Sequence, residues 1–267
     1  MPSASDVATL VFDSVTKLPP EADGAVVIGA SHAAVYAAYM SAKFGCRAAI
    51  HHDAGIGKDE AGVSGLAYAD RLGMAMAAVA TASARIGDGA DLQARGIISR
   101  ANGLAMACGV VPGMQACQAA ELLKQARWPH TMPPAKGESR HERDGAVCAD
   151  SATLLVPGDR GRIVATGSHG ALNSWKATAP FRPLLLMFND AGFGADRGGV
   201  LALPELDKEG IAALAVATQS ARIGDGRSTL QDGTISDVNA AAYRLGARVG
   251  GSALALARAL AEKSGQS

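Results

Sequence analysis

The strongest constraint on this chain is that it repeats itself. Residues 12–113 align with residues 149–250 at a constant offset of 137, without a gap, and 41 of the 102 positions are identical. Self-similarity at a fixed period means that one structural unit has been used more than once. The matches concentrate in polar strings. Asp13-Ser14-Val15-Thr16 pairs with Asp150-Ser151-Ala152-Thr153, and Ser31-His32 with Ser168-His169. Asp53-Ala54-Gly55-Ile56-Gly57 pairs with Asp190-Ala191-Gly192-Phe193-Gly194, and Asp59 with Asp196. Ser83–Gly89 (SARIGDG) recurs unchanged as Ser220–Gly226. The copies extend over 12–124 and 149–261. The intervening 125–148 holds Pro129, Pro133, Pro134 and a charged run from Glu138 to Asp144, and reads as an exposed connector.

Each copy alternates short apolar runs with helical stretches. In the first, strands are expected at 25–29, 48–52 and 75–81, with helices at 33–44 and 60–72. In the second, strands are expected at 162–166, 184–188 and 211–218. Further helices are expected near 97–108 and 115–125, then 235–245 and 252–262. The strand runs are apolar without alternation, as when helices cover both faces of a sheet. Strands alternating with helices imply βαβ units and a mainly parallel sheet. The expected fold class is therefore α/β: two tandem copies of a βαβαβ-plus-helices unit, packed with pseudo-twofold symmetry.

Composition removes several function classes. Lysine plus arginine balances aspartate plus glutamate at 25 each, so the basic excess of a nucleic-acid binder is missing. Aromatic residues make up 4%, too few for base-stacking platforms. No apolar run reaches the ~18 residues of a membrane span, and the first residues lack the basic start and apolar stretch of a signal peptide. The expectation is a cytoplasmic protein with neither membrane nor nucleic acid as partner. Cys46, Cys108, Cys117 and Cys148 form no CxxC pair and match no cysteine in the other copy, so they read as incidental thiols.

The matched polar residues fall just after expected strands, where parallel α/β sheets bind ligands. Ser31 and Ser168, at a turn into a helix, are expected to cap that helix or contact an anion, with a nucleophile activated by a nearby base as the lesser alternative. His32 and His169 beside them are candidate acid–base groups. Asp53 and Asp190 are candidate general bases on glycine-rich loops that lack the Walker spacing. Arg85 and Arg222 suit a carboxylate or phosphate, with Asp88 and Asp225 as neighbours or ion-pair partners. Ser99 with Asn102, and Ser236 with Asn239, are expected on one helical face at i, i+3 spacing, as candidate substrate-binding groups toward the same cleft or as a solvated helix face.

The copies differ where chemistry could be asymmetric. Lys58 aligns with Ala195, His52 with Asn189, and Arg95 with Asp232. Lys58, or His52, is then a candidate acid or base of the first copy. Adjacent strand residues point to opposite faces, so His51 and His52 cannot easily share an ion. No metal site is assigned, and a divalent metal ranks below a site without one. The expected activity is that of an enzyme on a small carboxylate- or phosphate-bearing metabolite held between the copies. Hydrolase or lyase/isomerase chemistry without organic cofactor fits these residues. The alternative is non-catalytic binding or sensing of a small anion. The many small residues would also permit a homo-oligomer.

Overall fold

The computed structural model describes residues 7–129 and 132–264. The chain forms two compact units. Unit 1 comprises 1–56, 62–137 and 194–196, and unit 2 comprises 57–61, 138–193 and 197–267. Each unit thus takes in a short segment from the other half of the sequence.

Unit 1 is built on a five-stranded sheet: β1 (Thr9–Phe12), β2 (Val26–His32), β3 (Ala48–His52), β4 (Ala75–Val79) and β5 (Ile98–Ala101), in that order. The first four strands are parallel and β5 runs antiparallel to β4. Helices α1 (Val35–Lys43) and α2 (Gly65–Arg71) link the central strands, and α3 (Gly89–Arg95), α4 (Gly103–Ala107) and α5 (Ala116–Leu123) complete the unit. The strand period of two sorts the side chains. Val26, Ile28, Ile50, Ala77 and Val79 pack with Leu92, Ala105 and Leu123 of α3, α4 and α5. Ala49, Met76 and Ala78 face α1 and α2 through Ala38, Ala42, Leu66 and Ala69. Both faces are covered, which is why the strands read as unbroken apolar runs.

Unit 2 has six strands: β6 (Arg140–Arg143), β7 (Ala146–Ala149), β8 (Ile163–His169), β9 (Leu185–Asn189), β10 (Ala212–Val216) and β11 (Ile235–Val238). Strands β7 to β10 are parallel, and β6 and β11 are antiparallel edges. Its helices are α6 (Leu172–Thr178), α7 (Ala202–Lys208), α8 (Gly226–Asp232), α9 (Ala240–Arg244) and α10 (Ala253–Ser264). Leu185, Met187 and Leu214 pack with Leu230 of α8 and Leu260 of α10, while Leu186, Phe188 and Ala213 pack with Leu203 and Leu206 of α7.

Three expectations are corrected. The helix expected over 97–108 is strand β5 followed by α4, and that over 235–245 is β11 followed by α9. Ser99 and Ser236 therefore lie on edge strands, not on a helical face with Asn102 and Asn239. Each strand has only four residues, too short a window for periodicity to separate strand from helix. The stretch 125–148 is not simply an exposed connector. Its end forms β6 and most of the buried strand β7, and Trp128 Nε1 donates to Gly45 O at 2.8 Å. Finally, β2 and β8 run on through Ser31-His32 and Ser168-His169, so these residues end strands instead of opening helices.

No helix among the described residues is long and apolar enough to cross a membrane.

Candidate functional site

The loop after β3 has an unusual backbone. Ala54, Gly55, Ile56 and Gly57 all have positive φ (50°, 71°, 64° and 73°), followed by Asp59 and Glu60 at 54°. The loop after β9 repeats this at Ala191, Gly192, Phe193, Gly194, Asp196 and Arg197. Among the described residues, eight of the ten non-glycine residues with positive φ lie in these two loops. Left-handed geometry costs an L-residue about 1–2 kcal/mol, so the surroundings must enforce it.

The aspartates supply that enforcement. Asp53 Oδ1 accepts from Gly55 N at 3.0 Å and from Thr81 N at 2.9 Å. Asp190 Oδ1 accepts from Gly192 N at 2.8 Å and from Thr218 N at 2.9 Å. Both carboxylates are nearly fully buried. In each unit the aspartate ties the left-handed loop to the turn after the neighbouring strand.

The residue before each aspartate continues the brace. His52 Nε2 meets Ala84 O at 3.0 Å while its Nδ1 accepts from Ala54 N at 3.0 Å. These bonds fix a neutral tautomer with the proton on Nε2. Asn189 does the same work with its amide: Nδ2 donates to Ala221 O at 3.0 Å and Oδ1 accepts from Ala191 N at 2.9 Å. The sequence difference His52/Asn189 is thus a conserved pair of hydrogen bonds made by two side chains.

His51 and His32 of unit 1 are also held neutral. His51 is fully buried, donating from Nδ1 to Gly29 O (2.9 Å) and accepting at Nε2 from Ser41 Oγ (3.0 Å). Burial pushes its pKa down to about 4. His32, at the partly accessible end of β2, is likewise lowered to about 4, by burial first and then by His51 and His52 nearby. In unit 2, His169 Nδ1 accepts from Ala171 N at 3.3 Å.

The two serines do not cap α1 or α6, whose N-caps are Ala34 and Ala171. Ser31 Oγ accepts from Val15 N at 3.0 Å and Ser168 Oγ from Ala152 N at 2.9 Å. Each closes the short 3-10 turn that follows the preceding strand. Asn102 and Asn239 are buried and fully engaged. Asn102 Oδ1 accepts from Met76 N (3.0 Å) and Ala105 N (2.9 Å), and Nδ2 donates to Met74 O (2.8 Å). Asn239 makes the matching bonds to Ala213, Ala242 and Ile211. They cap α4 and α9 and lock those helices to β4 and β10. Ser99 Oγ donates to Ala78 O at 3.2 Å, and Ser236 Oγ is buried with no partner among the described residues.

The SARIGDG strings gather the charge. In unit 1, Arg85 pairs with Asp88 Oδ2 (2.9 Å), Asp91 Oδ1 (3.3 Å) and Asp196 Oδ2 (3.2 Å). Arg95 binds Asp91 through two nitrogens (2.7 and 2.8 Å) and reaches Asp196 Oδ2 at 2.7 Å. Burial works to raise the Asp91 pKa, but Arg95, the Arg85 backbone amide and the Arg85 charge outweigh it and hold it below the usual range. In unit 2, Arg222 pairs with Asp59 Oδ2 (2.6 Å) and Lys58 with Asp232 Oδ2 (2.9 Å). Burial raises Asp232 too, and its bonds from Lys58 and Ser228 win, leaving it lowered. Asp88 and Asp225 also cap α3 and α8, accepting from Asp91 N and Ser228 N.

The structure thus brings Lys58, Arg222, Asp59 and Asp232 together in unit 2, where Thr218 takes the Lys58 amide on its carbonyl and gives its own amide to Asp190. Sequence reading missed Asp91 and Ser228 and noted Asp232 only as a difference from Arg95; all three lie just past the repeated string at positions where the copies differ. Among the described residues, no group of three or more His, Cys, Asp or Glu side chains is placed to hold a metal ion. No family model, no curated protein and no solved structure matches the chain.

Proposed function

We propose that unit 2 carries a site for a small carboxylate- or phosphate-bearing metabolite, built on Arg222 and Lys58. Lys58 serves as the acid–base group of a hydrolase or lyase/isomerase reaction that needs no organic cofactor. One observation carries this reading. Two cations, with side chains 46% and 30% accessible, gather where a left-handed loop meets the turn after a parallel strand. Ligands of α/β sheets bind at such strand ends. An incoming anion takes the place of the Asp59 or Asp232 carboxylate on the fork-shaped guanidinium or the ammonium. The recurrence of the Ser31/Ser168, Asp53/Asp190 and Asn102/Asn239 bonds at an offset of 137 further supports reading the units as tandem copies of one ancestral unit.

A second reading, binding or sensing without turnover, has its own support. Asp53, Asp190, His51 and His52 are engaged as braces, which leaves few groups for proton transfer. Thermal denaturation of the parent protein with inorganic phosphate and with small mono- and dicarboxylates, at constant ionic strength, tests the site. Stabilisation by one class that Arg222→Ala removes supports the anion site. No stabilisation by any of them overturns it. Turnover of the stabilising class, lost in Lys58→Ala, separates the enzyme from the sensor.

A further inference from the structure

We propose that charge complementarity, not backbone geometry, decides which loop tip completes which unit. The two tips make the same backbone contact. Ala195 N donates to Thr81 O at 2.8 Å in unit 1, and Lys58 N donates to Thr218 O at 2.8 Å in unit 2. The tips share the same left-handed run and the same glycine, and an added Cβ at Gly194 or Gly57 would meet the hydroxyl and carbonyl of that threonine.

The side chains differ in a coordinated way. The tip aspartates keep their role: Asp196 meets Arg85 and Asp59 meets Arg222. Three other positions change together. Arg95, which reaches Asp196, is replaced in the second copy by Asp232, a carboxylate where a cation had been. Asp91 becomes Ser228, whose hydroxyl donates to Asp232 at 2.7 Å. Ala195 becomes Lys58, which pairs with Asp232. The chosen positions hold two cations and three carboxylates in each unit: Arg85, Arg95, Asp88, Asp91 and Asp196 in unit 1, and Arg222, Lys58, Asp59, Asp232 and the α8 cap Asp225 in unit 2. The charge total is kept while the positions carrying it move.

This exchange makes each tip specific. A tip bearing Lys58 set against Arg85 and Arg95 adds a third cation to two. A tip bearing Ala195-Asp196 set against Asp232 supplies the same aspartate but leaves the Asp232 carboxylate without its lysine. Like charges held close oppose the wrong pairing, which is how duplicated parts with one backbone are kept from exchanging partners. The device shares Lys58 and Arg222 with the proposed anion site and is read on the ligand-free protein.

The test uses three variants of the full chain in low-salt buffer. The first exchanges the tips only (K58A with A195K). The second exchanges the receiving positions only (D91S, R95D, S228D and D232R). The third combines all six. Arg85 N and Arg222 N keep an acceptor throughout, because Asp91 Oδ2 and Ser228 Oγ both accept that amide. The tip-only and receiver-only variants are expected to lose at least about 3 °C in melting temperature, the six-fold variant to return to within about 1 °C of the parent, and 1 M salt to shrink the losses because it screens the repulsion. Equal stability of the tip-only variant and the parent overturns the proposal. So does a six-fold variant no more stable than the tip-only one, since the loss would then come from side-chain size. If the tip-only protein does not fold, a folded six-fold variant supports the proposal and an unfolded one refutes it.

Discussion

His52→Asn puts at position 52 the side chain that unit 2 carries at the aligned position, Asn189. Both side chains bridge a carbonyl and an amide: Ala84 O and Ala54 N for His52, Ala221 O and Ala191 N for Asn189. If the bridge is the whole role of His52, asparagine keeps it and leaves only a small void. Removing a buried methylene-sized group costs about 0.5–1.5 kcal/mol, so His52→Asn should fall in that range. His52→Leu keeps the bulk but removes both partners from backbone groups of residues that are fully buried. At about 1–3 kcal/mol for each group left unsatisfied, it should cost about 2–6 kcal/mol. Urea denaturation at pH 7, with equal slopes for all three proteins, measures the difference. The reasoning is refuted if His52→Asn is as destabilised as His52→Leu. If an activity is found and His52→Asn alone abolishes it with the fold intact, the histidine has an acid–base role beyond the brace.

Acid should weaken unit 1 through His51. Its folded pKa of about 4 lies below the ordinary 6.5, so the unfolded chain takes up the proton first. Stability is therefore complete above about pH 6.5, falls as pH drops toward about 4, and levels off below, by at most about 3 kcal/mol for this group. His51→Phe, the residue of the second copy at Phe188, should flatten that slope in urea midpoints taken from pH 3.5 to 7, and an unchanged slope would exclude His51 as its source. Gly57→Ala should lower the melting temperature, because its φ is +73° and the new Cβ would stand 2.5 Å from Thr218 Oγ1. Gly194→Ala should act alike against Thr81, and neutrality of both would show that the tips relax freely. Asn102→Ala and Asn239→Ala should each cost about 2–4 kcal/mol in denaturant titrations, since each removes three bonds to buried backbone at a helix cap; losses under about 1 kcal/mol would contradict the cap assignment.

Much of the fold was legible because it rests on local signals. Strands β3, β4, β9 and β10 carry unbroken apolar runs, and the repeat doubled every reading, since an element seen in one copy was expected in the other. Strand β7 escaped because Ala146–Ala149 is only four residues long beside prolines and charge, and becomes a strand by pairing with β8. Strands β5 and β11 escaped for the same reason: their register is set by β4 and β10 and not by their own pattern.

The candidate residues divide along a similar line. The repetition of Asp53/Asp190 and Asn102/Asn239 was plain in the sequence. Their work was not, because a repeated buried side chain that braces a loop leaves the same trace as one that binds a ligand. Only the hydrogen-bond partners, brought from residues 26 to 28 positions away, distinguish the two. Position 58 shows the limit most clearly. The sequence alone determined that Lys58 and Asp232 stand where the other copy has Ala195 and Arg95. That these two differences form one ion pair was decided by the tertiary structure, because a charge acts on what lies within a few ångströms in space, and 174 residues of chain separate this pair.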